Sequence, residues 1–229
     1  MPEEIVNSTN YQPFTSYAWP KSTDISNQMM AGWKARVGNA DRELADPATT
    51  ADRKAWLKER KQYLLRGIED MQNRSWLVAE YDPFIVVPIN IVRDRDDPYA
   101  PNIGDYAVVI HDGKVYPAIA GDAGPSFKVG EASLRMAKEI DAKSSPYRRP
   151  VSDLTVTYLV FPRSADLPWR PPDYEHWRKR CSELLSEVGG LGEGVELHQW
   201  ENLFPQMSED GEESEEDGDE SADEEETEE

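Results

Sequence analysis

Cysteine is almost absent from this chain: of 229 residues, only Cys181 carries a thiol. No disulfide can form within the chain and no cysteine-based zinc cluster can be assembled. Basic residues are also in short supply, 25 Lys and Arg against 45 Asp and Glu. A surface of that sign repels phosphate backbones, so no nucleic-acid partner is expected. Long apolar runs are missing, and with them any candidate membrane span. The start, Met1-Pro-Glu-Glu, has neither the basic residues nor the roughly 7–15-residue apolar stretch of a secretory leader. The three histidines, His111, His176 and His198, lack H-E-x-x-H spacing, and there is no phosphate-cradling G-x-x-x-x-G-K-[ST] loop. Gly189-Gly-Leu-Gly-Glu-Gly194 follows a helical pattern and not a strand, so it reads as a loop and not a dinucleotide fingerprint. No metal and no cofactor is expected, and nothing in the pattern speaks to oligomeric state.

The acidity that is present sits at one end. Residues 209–229 hold 15 acids and no Lys or Arg, which leaves 30 acids against 25 bases elsewhere. Residues 208–229 are nearly devoid of apolar side chains and cannot bury enough surface to order themselves, so they read as a disordered acidic tail. The rest divides into an N-terminal helical extension over residues 1–75 and a mixed domain over residues 76–207. In the extension, Asp46-Pro-Ala-Thr-Thr-Ala-Asp52 offers cap signals before a helix over 53–73. Leu57, Leu64, Leu65, Ile68 and Met71 recur on its buried face, and Trp56 reads as core. A second helix is expected over 173–188, closed by Gly189-Gly190, with Trp177, Cys181, Leu184, Leu185 and Val188 inward. Cys181 is then buried and inert.

Between these helices the pattern alternates. Residues 105–111 read as a strand, Asp112-Gly113 as a two-residue hairpin, and 114–120 as the return strand. Pro117 cannot donate to a ladder, which predicts an unpaired side or a bulge there. Residues 81–92 read as a buried strand pair or extended segment, and 154–161 as a further strand. After the return strand comes Gly121-Asp-Ala-Gly-Pro125, read as a sharp turn exposing Asp122, and then Gly130-Glu-Ala-Ser-Leu134. Glu131 is read at the mouth of a helix whose face is Leu134, Met136, Ala137 and Ile140. Two carboxylates on one short, stiff stretch are what glycoside hydrolysis requires. Each also has a plainer reading: an Asp between glycines as a turn residue, and a Glu in a first helical turn as a partner for the helix dipole. Among the seven tryptophans, Trp169 in Leu-Pro-Trp-Arg-Pro-Pro is the one best placed on a loop to meet a sugar ring.

A family likeness adds to these residues. Pro83-Phe-Ile-Val-Val-Pro88, Gly104-Asp-Tyr-Ala-Val-Val-Ile-His111, Gly113-Lys-Val-Tyr-Pro117, Gly121-Asp-Ala-Gly-Pro125, Gly130-Glu-Ala-Ser-Leu134, Pro150-Val-Ser-Asp153 and Val156-Thr-Tyr-Leu-Val-Phe-Pro162 occur in order. From about residue 81 to 203 the chain resembles glycoside hydrolase family 75, the chitosanases, and in particular its bacterial members. The resemblance implies that Asp122 and Glu131 are the two essential carboxylates. It implies an endo-acting, inverting hydrolase of the β-1,4 links of chitosan, a polysaccharide substrate, and an extracellular setting. The residues alone do not separate endo from exo action. A shorter likeness, Asp122-x-Gly-x-x-x-Lys128, is similar to the turn of double-psi β-barrels, including certain lytic transglycosylases. It implies a mixed α+β, β-rich fold: a small six-stranded double-psi-like barrel core with flanking helices. It favours Asp122 as general acid, while a helix N-terminus would suit Glu131 as base; the division of roles stays open, because Lys128 would oppose an acid that it faced. Two further readings remain: a lytic-type enzyme on peptidoglycan strands, and a non-catalytic polysaccharide-binding barrel. For the tail, removal of residues 208–229 should leave the melting temperature nearly unchanged; a marked drop in a thermal melt would show that it docks.

Overall fold

The computed structural model describes residues 14–21, 29–145, 156–192 and 194–203. The acidic tail, residues 150–153 and the first two residues of the strand expected at 154 lie outside them. In chain order the elements are β1 (Ala18–Pro20), α1 (Met30–Ala45), α2 (Ala51–Asn73), β2 (Arg74–Trp76), β3 (Phe84–Pro88), α3 (Ile89–Val92), β4 (Tyr106–His111), β5 (Lys114–Gly124), β6 (Glu131–Ala132), α4 (Leu134–Ile140), β7 (Thr157–Val160) and α5 (Tyr174–Glu187).

Helices α1 and α2 form an antiparallel hairpin. Thr50 caps α2 by accepting from the Arg53 N–H, and Arg53 reaches back to Glu43 at 2.7 Å beside the loop. At the far end Trp33 is buried among Met29, Leu64, Ile68 and Met71. Gly67 makes that fit possible, since a Cβ there would lie 2.2 Å from the Trp33 ring. Helix α1, with Gly32 and Gly38 inside it, was not located from the sequence. Three residues expected on buried helix faces are not buried: Leu65, Val188 and Trp56. Trp56 is half exposed beneath the Arg53 guanidinium, which stacks on its ring 4.5 Å from the centroid. Val188 caps the end of α5, where the chain has already left the helical face.

Five strands form one sheet in the order β6-β3-β5-β4-β7; β3 and β5 run parallel and the other pairs antiparallel. Asp112 and Gly113 join β4 to β5 with φ of 48° and 73°, as an Asp-Gly hairpin requires. Pro117 faces β4 on one side and has no β3 partner on the other, because β3 first meets β5 at Ile119. Alternation along the strands buries both faces. Phe84, Tyr106, Val108, Val115 and Ile119 pack with Trp177, Cys181, Leu184 and Leu185 of α5. Ile85, Val87, Ala107, Val109, Ala118 and Ala120 pack with Met136 of α4 and with Trp200. Cys181 is fully buried against the Ala107 and Ala118 carbonyls, and burial pushes its thiol up to about 12, which keeps it unreactive.

The strands do not close into a barrel. Among the described residues β6 pairs only with β3 and β7 only with β4, so both edges stay open. Ala132 of β6 and Tyr158 and Val160 of β7 nonetheless pack against one cluster, so the sheet curls over that face. The turn expected at Gly121–Pro125 is also displaced: β5 runs through Gly121, Asp122, Ala123 and Gly124 as strand, and the chain turns only after it, where the Lys128 N–H donates to the Pro125 carbonyl at 3.1 Å. The extended segment expected at 81–92 breaks after Pro88 into the single turn of α3.

One buried charge braces β3. Asp82 is fully buried; it accepts from the Val78 N–H at 2.5 Å and from the Tyr174 hydroxyl at 2.7 Å. Burial pushes its carboxyl from the ordinary 3.8 up to about 6, against the pull of those two donors and of Arg135. The folded chain therefore keeps a proton that the unfolded chain releases, so this group's contribution to stability falls as pH rises from about 4 to about 6 and is level above. The difference corresponds to roughly 3 kcal/mol. In urea titrations, the stability of Asp82→Asn relative to wild type should move in the variant's favour by roughly 2 kcal/mol between pH 4 and 6.5. A constant difference across that range would show that Asp82 does not titrate there.

Candidate active site

The site is built by a break in register. Phe84 pairs with Ile119 and Ile85 with Ala120, but Val86 pairs with Asp122, leaving Gly121 as an extra residue in β5. In an unbroken ladder Val86 would face Gly121, and Asp122 would point to the other side of the sheet, because side chains alternate along a strand. The bulge returns Asp122 to the Val86 face. On its other edge Val86 pairs with Glu131. Both carboxylates thus flank Val86 on one face, two strand spacings apart, or about 9.5 Å between Cα atoms.

Each glycine of the segment has a packing reason. A Cβ on Gly121 would lie 2.6 Å from Leu77 and 2.7 Å from Phe84. A Cβ on Gly124 would lie 2.8 Å from both Glu131 Oε2 and Val86 Cγ1. Gly124 follows Asp122 by two residues and shares its face, so the Glu131 side chain leans across β3 toward Asp122. Both carboxylates are half-buried.

Their partners differ. Asp122 Oδ1 accepts from the Ser16 N–H at 2.9 Å, the Ser16 hydroxyl at 2.7 Å and the Ala123 N–H at 2.9 Å. Glu131 Oε1 pairs with Lys128 Nζ at 3.1 Å. Lys128 therefore faces Glu131 and not Asp122. Glu131 is not at a helix mouth, as expected from the sequence; it lies in β6, and Ser133 is the cap of α4. Ser133 is buried and accepts from the Met136 N–H while its own N–H donates to the Phe84 carbonyl at 2.9 Å, so the cap ties α4 to β3. The position of Glu131 is set by the sheet and not by the helix dipole.

Two neighbours were missed from the sequence. Ser16 is 106 residues from Asp122 in the chain, and no local pattern signals that contact. Tyr158, read only as part of a strand, has its phenol pushed up to about 12 by burial and by the charge of Glu131. Trp169 is not an open platform: Tyr17 stacks on it with ring centroids 5.1 Å apart. On the loop joining the two carboxylates, Phe127 is exposed, at 84%. No group of His, Cys, Asp and Glu among the described residues could hold a metal ion, and no helix among them is long and apolar enough to cross a membrane.

Two carboxylates facing one another across a strand, each held by its own partners, can deliver a proton to one side of a bound group and take one from the other. The family model that matches the chain, over residues 32–195, is described as fungal chitosanase of glycosyl hydrolase group 75. Comparison with curated proteins gave no match.

Substituting Gly124→Ala should displace the flexible end of Glu131 and press Val86 Cγ1 aside, since the new Cβ would lie 2.8 Å from each. Turnover should fall by roughly 10–100-fold, the effect of a misplaced reacting group, while the melting temperature drops by only a few degrees. Full turnover in the variant would show that the Glu131 position over Gly124 is not needed.

Proposed function

The chain belongs to glycosyl hydrolase group 75, and from that premise we propose that it cleaves the β-1,4 links of chitosan with inversion, Asp122 acting as acid and Glu131 as base. As a member of the family it is a glycosidase, hydrolysing O-glycosyl bonds of a polysaccharide. The observation that carries the finer reading is the shared register of Asp122 and Glu131 with Val86. Inverting enzymes hold their carboxyl groups about 6.5–9.5 Å apart, so that a water fits between the base and the sugar. Side chains rooted two strand spacings apart, about 9.5 Å between Cα atoms, support the inverting reading because they leave space between the carboxyl groups.

In this reading Asp122 gives its proton to the glycosidic oxygen as the bond to the anomeric carbon breaks. Glu131 takes a proton from the water whose oxygen attacks that carbon from the opposite face. The donors to Asp122 converge on Oδ1, so the transferable proton belongs on Oδ2. Lys128 pairs with Glu131, the carboxylate that must start ionised, which removes the objection that it would oppose an acid at Asp122. Exposed Phe127 offers a flat apolar surface to a pyranose ring beside the carboxylates. The peptidoglycan reading leaned on a likeness to a closed barrel, and a sheet with open edges among the described residues takes that support away.

A reducing-end assay on highly deacetylated chitosan tests this. Wild type should release glucosamine oligomers, and Asp122→Asn and Glu131→Gln should each retain less than a few per cent of turnover, or about a 10²-fold loss or more. On a glucosaminide with a nitrophenolate leaving group, Asp122→Asn should recover activity, because no proton is then needed, while Glu131→Gln should not. Recovery in Glu131→Gln alone would reverse the roles. A wild-type protein inactive on chitosan would overturn the substrate.

A further inference from the structure

The bulge that aims Asp122 leaves a carbonyl and a carboxylate to be satisfied, and both are satisfied by a segment far away in sequence. Gly121, the extra residue, accepts from the Tyr17 N–H at 3.0 Å. One residue earlier, Ser16 donates to Asp122 Oδ1 from both its N–H and its hydroxyl. The same hydroxyl accepts from the Ala123 N–H at 3.3 Å, so its proton is directed at Asp122. The segment is well anchored. Tyr17 is buried in the sheet cluster, its ring stacks on Trp169, and its hydroxyl donates to the Arg170 carbonyl at 3.0 Å. Immediately after it, β1 pairs with β2. Ser16 lies outside residues 32–195, the span matched by the family model.

We propose that Ser16 is a positioning residue for glycoside hydrolysis, holding the Asp122 carboxyl in its reactive orientation through a hydroxyl and a backbone N–H on one oxygen. The inference rests on the reading of Asp122 as a reacting carboxylate. Rotation of a carboxyl about its χ2 is nearly free on a strand end. Two donors from one residue fix that rotation, and the bulge carbonyl bonded to Tyr17 fixes where the donors come from. The charged group across β3 from this carboxyl is Glu131, and Lys128 is paired with Glu131 and not with Asp122. The orientation of Asp122 therefore falls to neutral donors.

The test compares full-length wild type, Ser16→Ala, Ser16→Thr and Asp122→Asn on deacetylated chitosan, with melting temperatures recorded for all four. Ser16→Ala should lower kcat about 5–10-fold, the effect of one lost hydrogen bond, with KM within about twofold. Ser16→Thr, which keeps the hydroxyl, should restore most of kcat. Ser16 is exposed, so melting temperatures should agree within a few degrees. Unchanged kcat in Ser16→Ala, a loss confined to KM, or equal impairment of the Thr variant would overturn the inference while leaving Asp122 intact. Full turnover in Asp122→Asn would instead remove the reading beneath it.

Discussion

The site depends on one extra residue in one strand. Without the register break at Gly121, Asp122 and Glu131 would lie on opposite faces of the sheet, and no side-chain rotation could bring them together. A bulge weakens the ladder locally, since the extra residue loses its pairing with the neighbouring strand. Here the weakness is offset twice. Tyr17 supplies the N–H that the Gly121 carbonyl would lack, and the absence of a side chain at Gly121 lets Phe84 and Leu77 close over it. The same two features that stabilise the bulge bring Ser16 to the carboxylate that the bulge has aimed.

The two faces of the sheet divide the work. One is apolar along its length until the bulge, where Val115 and Ile119 of β5 give way to Gly121 and Asp122. The candidate site thus begins where the core ends, on backbone held by a central strand with neighbours on both sides. The other face is lined by small residues, Ala107, Ala118 and Ala120, and is filled by Met136 and Trp200. Trp200 also donates to the Pro117 carbonyl at 2.8 Å, at the stretch of β5 that β3 does not reach. The cap residue Ser133 joins the faces: it fixes α4 beneath the sheet and, two residues earlier in the chain, sets β6 against β3 so that Glu131 meets Val86.

The sequence was legible where one local rule acts alone. The Asp-Gly hairpin, the period of α2 and the buried face of α5 through Leu185 all follow from propensity and alternation, and all are found. It misled where a residue serves a neighbour distant in the chain. Gly121 and Gly124 look like turn formers because glycine usually supplies unusual backbone angles. Here neither has a positive φ, and each is small because Phe84 or Glu131 occupies the space. Trp56 looked buried because tryptophan commonly is, yet it covers the helix surface beneath Arg53. Asp122 and Glu131 could be singled out as candidates from their motifs, but their common pairing with Val86 could not, because register is a property of two segments and is written in neither.

The same argument explains why the N-terminal segment could not be tied to the site in advance. Helical periodicity marks residues 53–73 as packing against something, but a three-residue strand and a single serine carry no period. Tyr17 and Trp19 contribute to the sheet's cluster, and β1–β2 pairing anchors the segment to the end of α2. The helical hairpin therefore does more than decorate the sheet: rigidly packed around Trp33, it holds β2, β2 holds β1, and β1 fixes the approach of Ser16. Each link is weak alone, since a two-stranded ribbon is marginal without packing. Together they deliver two donors to a carboxyl on the far side of the fold, an arrangement set by packing and invisible to any window of the sequence.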